Sequence, residues 1–117
     1  MRCSILLAAQ LCLALPAAAQ AHARLLGSSP AANTVAAPTS SIELRFSERL
    51  VTKLSSANVA KLPGAIAISA TVKASGDGKS LTLGLAHPLS AGTYRVDYHV
   101  TSADTHRVNG TLAFRVK

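Results

Sequence analysis

The 117-residue chain has no tryptophan, one methionine, two cysteines and only five acidic side chains against twelve lysines and arginines. Each shortage excludes something. Met1, Cys3 and Cys12 all lie at the extreme start, so the rest of the chain has no thiol for nucleophilic work, no disulfide, and none of the thioether ligands that favour Cu(I). Its four aromatics, Phe46, Tyr94, Tyr98 and Phe114, are too few for a base-stacking surface. There is no phosphate-cradling glycine loop and no nucleophile elbow. Yet 49% of residues are hydrophobic, with only five prolines and seven glycines, which excludes disorder and collagen-like structure.

The apolar excess is concentrated at the beginning. Arg2 gives a short positive start, Ile5 to Leu15 an apolar run, and Pro16 to Ala21 a breaker followed by small residues. This is the pattern of a secretory signal over residues 1–21. A membrane anchor needs about 20 apolar residues, more than this run supplies. Lipidation at Cys12 is disfavoured because Gln10-Leu11 lacks the small residue expected before a lipidated cysteine. Cleavage after Ala21 makes His22 the first residue of a single domain spanning 22–117. Cleavage after Ala19 instead leaves Gln20-Ala21-His22, whose amine, two amides and imidazole can wrap Cu(II) or Ni(II).

Loss of Arg2 lowers the net charge from +7 to +6. The remaining cations, such as Arg45, Lys61, Lys79, Arg95 and Arg115, are dispersed without a run. Dispersed charge and export together argue against nucleic acid and for a solvated basic surface, with weak attraction to anionic membranes.

Alternation dominates residues 22–117. Ile42, Leu44 and Phe46 share one face, as do Leu81, Leu83 and Leu85, then Tyr94, Val96, Tyr98 and Val100, then Leu112, Phe114 and Val116. Such spacing predicts half-buried strands. Ile66 to Val72 and Arg24 to Leu26 are further candidates. Turns are expected at Gly76-Asp77-Gly78-Lys79 and Ala91-Gly92, and a tight hairpin at Asn109-Gly110. Short strands without a helical period predict an all-β sandwich of six or seven strands. A core this small leaves little room for a deep pocket, so function is expected on a surface, an edge or a terminus.

Four histidines remain as chemistry. At a free terminus, His22 offers its α-amine and ring Nδ1, which close a six-membered chelate ring around a metal. Asp104-Thr105-His106 projects a carboxylate and an imidazole from one face of an extended segment. Three nitrogens and one oxygen suit Cu(II), or less readily Ni(II), better than tetrahedral zinc. Spacing alone does not bring His22 to His106. Asp97 and His99 repeat the Asp-x-His pattern but are read as solvent-facing, His87 as a loop residue and Glu48 as a solvated acid.

Several stretches carry a wider resemblance. They are His22-Ala23-Arg24-Leu25 with Ser29-Pro30-Ala31, Ile42 to Glu48, Asp77-Gly78-Lys79, Pro88-Leu89 with Gly92 to Val96, and Ser102 to Gly110. In this order they resemble the CopC family of periplasmic copper-binding, copper-resistance proteins over nearly all of residues 22–117. The resemblance implies an immunoglobulin-like Greek-key β-sandwich of about seven strands holding Cu(II) through His22, Asp104 and His106. Glu48 matches an acidic position near that site. It also implies a periplasmic monomer that is not an enzyme and that buffers or carries copper, passing it to an inner-membrane, CopD-like copper transporter.

The chain departs from the better-known members in two ways. Their methionine-rich, Cu(I)-binding loop has no counterpart, since the expected loop between Lys53 and Val72 is rich in alanine and leucine. That implies a Cu(II)-only member. Thr105 stands where glycine is common. Lytic polysaccharide monooxygenases also hold copper through an amino-terminal histidine on a β-sandwich and are the alternative enzymatic reading, opposed by the small size and the lack of tryptophan.

Overall fold

The computed structural model describes residues 22–117; the expected leader, residues 1–21, lies outside the described residues. These form strands β1 (Leu25–Ser29), β2 (Val35–Ala36), β3 (Ser41–Phe46), β4 (Ser56–Leu62), β5 (Ile66–Ile68), β6 (Ala70–Ala74), β7 (Ser80–Leu85), β8 (Gly92–Thr101) and β9 (Arg107–Val116), with one 3₁₀ turn at Thr52–Leu54.

One sheet has the order β1-β3-β7-β6 and the other β2-β9-β8-β4-β5. Setting aside the two-residue β2 and the three-residue β5, the remaining seven strands have the immunoglobulin arrangement: first, second, fifth and fourth in one layer, third, sixth and seventh in the other. β2 pairs with β9 in parallel, and the remaining pairs are antiparallel.

The alternating residues explain the layers. Ile42, Leu44 and Phe46 of β3 and Leu81 and Leu83 of β7 are buried against Tyr94, Val96, Tyr98 and Val100 of β8 and Leu112, Phe114 and Val116 of β9. Strand side chains point to opposite faces in turn, so one face of each sheet supplies the core and the other meets water. Each large aliphatic side chain so buried contributes about 1.5–3 kcal/mol. At the start of β8, the Tyr94 hydroxyl donates to the Ser90 carbonyl oxygen at 2.7 Å. This tyrosine corner is a hallmark of immunoglobulin-like sandwiches, and it ties the β7–β8 connection to the core.

Three local expectations need correction. The Lys53–Val72 segment is not a loop: it holds the 3₁₀ turn, β4 and β5, and β4 pairs with β8 along its whole length. Only Ala57 and Val59 of β4 are buried, and that is too small an apolar signal to mark a strand. Ile66 to Val72 is not one strand. It breaks at Ser69, where the chain leaves β5 in one sheet and enters β6 in the other.

Asn109-Gly110 is not a hairpin turn. It lies inside β9, opposite His99 and Tyr98. A side chain at Gly110 would run into the Tyr98 ring, so this glycine gives space to a neighbour and not a reversal of the chain. The reversal between β8 and β9 falls instead at Ser102 to His106, with Thr105 in the left-handed region at φ 73°. Both Asp104 and His106 sit on that turn.

Candidate metal centre

The β8–β9 turn is fixed by its backbone. Thr105 N–H donates to the Ser102 carbonyl at 2.8 Å, Ser102 N–H to the His106 carbonyl at 3.0 Å, and Ala103 N–H to the Arg49 carbonyl at 2.9 Å. Leu50 and Ser102 form an isolated antiparallel bridge. The turn is thereby held at both its base and its side.

His22 reaches the same place from the other end of the described chain. Ala23 is buried in the core, and Arg24 is clamped at both backbone groups. Its N–H donates to Ser47 Oγ at 2.9 Å, and its carbonyl accepts from Ser47 N–H at 2.8 Å. The residues directly after His22 are already seated.

These supports bring together the three residues singled out by the sequence. One ligand atom from each of His22, Asp104 and His106 lies within 4.8 Å of the others. Asp104 Oδ2 is 3.0 Å from His106 Nδ1 and 3.8 Å from His22 Nδ1. The two imidazole centroids are 4.3 Å apart, edge to face. The His22 and His106 side chains remain 48% and 62% exposed, while Asp104 is more covered at 28%.

The two oxygens of Asp104 have different surroundings. Oδ1 takes a close hydrogen bond from the Ser102 hydroxyl and a second from His106 N–H at 3.2 Å. Oδ2 faces the imidazoles. The Ser102 hydroxyl is the main reason that the carboxyl pKa falls below its ordinary value; local desolvation opposes it, and His106 adds to the lowering through its N–H and its ring. Hydrogen bonds to a carboxylate favour the charged form. An ionised oxygen between two imidazole nitrogens, open to solvent, is a donor set that can hold a divalent ion.

The other candidates are not members of this group. His99 Nδ1 is 2.9 Å from Asn109 Oδ1, and Asp97 accepts from Arg95 Nε at 3.1 Å, so the second Asp-x-His pair is spent on strand neighbours. His87 borders a shallow cleft with Lys61, Pro88 and Tyr94. Glu48, half-buried after β3, is not a member of the three-residue group. Sequence reasoning overlooked Ser102, Ser47 and Ala23 as supports. A serine two residues before an aspartate in a turn was the available signal.

Comparison with known proteins adds an independent finding. The model of the CopC domain matches residues 25–117. The chain is 43% identical to copper resistance protein C of Pseudomonas syringae pv. tomato over 107 residues, covering 86% of this chain and 85% of that protein. It is 41% identical to copper resistance protein C of Xanthomonas campestris pv. juglandis, again over 107 residues, covering 86% and 84%. Among solved structures it is similar to PcoC, a methionine-rich copper resistance protein from Escherichia coli. That match has a TM-score of 0.78 and 38% identity, and covers 83% of this chain and all of that one. CopC from Methylosinus trichosporium OB3b superposes with a TM-score of 0.75 at 28% identity, covering 82% and 94%.

Proposed function

The chain belongs to the CopC family of copper resistance proteins, and from that premise we propose that it captures one Cu(II) ion through His22, Asp104 and His106. In this reading it buffers or carries copper in the periplasm and passes it to an inner-membrane transporter. The observation that carries the reading is the convergence of three ligand atoms within 4.8 Å on a fold that seats His22 beside the β8–β9 turn.

Removal of residues 1–21 would free the His22 α-amine. Amine and ring Nδ1 then chelate the ion together, with Nδ1 3.8 Å from Asp104 Oδ2. With His106 the set becomes three nitrogens and one carboxylate oxygen, which suits tetragonal Cu(II). Cu(I) binding through thioethers is not part of the proposal, because residues 22–117 contain no methionine or cysteine.

The role is capture and release, not turnover. All four aromatics, Phe46, Tyr94, Tyr98 and Phe114, lie in the core, leaving none to grip a polysaccharide as a monooxygenase would. Among the described residues no helix is long and apolar enough to cross a membrane, in keeping with a carrier that acts beside one. The test is to express the whole chain, sequence the exported protein from its first residue, and dialyse it against Cu(II). One retained copper per chain on a protein beginning with His22 is expected; no retained copper would overturn the proposal.

A further inference from the structure

The one fully buried polar side chain at the metal end, among the described residues, is Ser102, with none of its surface exposed. It is too deep to meet an ion held by exposed imidazoles, yet its hydroxyl is directed at the site. Oγ donates to Asp104 Oδ1 and has the His106 carbonyl oxygen 3.2 Å away. Its backbone N–H donates to that same carbonyl at 3.0 Å. One residue therefore touches both proposed ligands of the turn.

A carboxylate on a solvent-facing turn has two nearly equivalent oxygens and a freely rotating side chain, and neither property favours one metal geometry. In this turn Ser102 Oγ–H and His106 N–H both occupy Oδ1. The rotation is thereby stopped with Oδ2 turned toward the two imidazoles, at 3.0 and 3.8 Å. Outer partners that orient ligands characteristically set metal affinity. Resting on the proposed Cu(II) site, we infer that Ser102 is a positioning residue: its hydroxyl occupies Asp104 Oδ1 and so presents Oδ2 alone to copper.

The experiment measures Cu(II) affinity by competition with a chelator for wild type, Ser102→Ala, Asp104→Ala and the double variant, each exported and beginning at His22. Ser102→Ala should weaken Cu(II) by about 10–100-fold and alter the paramagnetic resonance spectrum of the bound ion. In the Asp104→Ala background the same change should cost nothing further, because a residue acting through Asp104 has nothing left to orient. Ser102→Gly, which also lacks the donor and adds no copper ligand, should likewise lose affinity, and it carries the test if the alanine variant does not fold. An affinity within twofold of wild type in the folded serine variants overturns the positioning role and leaves the ligand set standing. An equal loss with and without Asp104 overturns it too, as a general disturbance of the turn. Wild type that binds no Cu(II) removes the site itself and the inference with it.

Discussion

His22 and His106, separated in the chain by eight of the nine strands, bring their ring centroids to 4.3 Å at an interplanar angle of 71°. Nothing local in the chain produces that meeting. It follows from Ala23 entering the core and Arg24 bonding Ser47 on one side, and from the β8–β9 turn leaning on Arg49 and Leu50 on the other. Ser47, Arg49 and Leu50 all lie in the connection that leaves β3, so one short segment seats both halves of the site.

The first prediction concerns the ligands. His22→Ala or His106→Ala should weaken Cu(II) by more than about 100-fold, beyond the cost of losing an outer partner. Their thermal midpoints should stay close to wild type, because both side chains are largely exposed. His87→Ala should leave affinity unchanged. Competition titrations with parallel melts check all three.

A second prediction addresses the core. Tyr94→Phe removes the hydroxyl that bonds the Ser90 carbonyl, and the expected cost is about 1 kcal/mol in urea unfolding. Copper affinity should not change, since Tyr94 is far along β8 from the turn.

The third turns on space. Gly110→Ala places a methyl group against the Tyr98 ring, which itself packs edge to face on Phe46. Overpacking of this kind costs about 1–3 kcal/mol. A urea midpoint equal to wild type would contradict the pairing of Gly110 with Tyr98 across β8 and β9.

The fourth uses pH. Asp77 accepts from Ser75 Oγ at 2.5 Å and from Lys79 N–H at 3.0 Å, and the serine bond is the leading reason that its pKa lies below the ordinary 3.8. A carboxylate whose folded pKa is depressed adds stability above its unfolded pKa and loses it as pH falls through the folded value. Asp77→Asn should therefore be less stable than wild type near neutrality, with the gap closing below pH 3.8. Urea midpoints measured across that range test the sign.

The sequence was most informative where burial is strong. The alternations of β3, β7, β8 and β9 named the core because each places large apolar residues on one face. It was least informative where small residues carry a strand: β4 buries only Ala57 and Val59, and β5 and β6 part at Ser69 for tertiary reasons. Asn109-Gly110 misled because glycine serves a tight turn or a crowded neighbour equally well, and only the partner strand decides which. Of the candidate site the residue types were legible, His22 and an Asp-x-His pair, together with the family resemblance; the pair was expected in extended chain, whereas the structure folds it into a turn with Thr105 in the left-handed region. The supports of the site were not legible, because Ser102 and Ser47 act through bonds that span the fold or the turn and have no composition signal.

The most direct test of the central claim is the electron paramagnetic resonance spectrum of the exported protein, verified to begin at His22 and loaded with one Cu(II). The account predicts a tetragonal centre with three nitrogen donors and one oxygen: amine and ring of His22, ring of His106, carboxylate of Asp104. Fewer than three nitrogens, or a spectrum unchanged by His106→Ala, would contradict it.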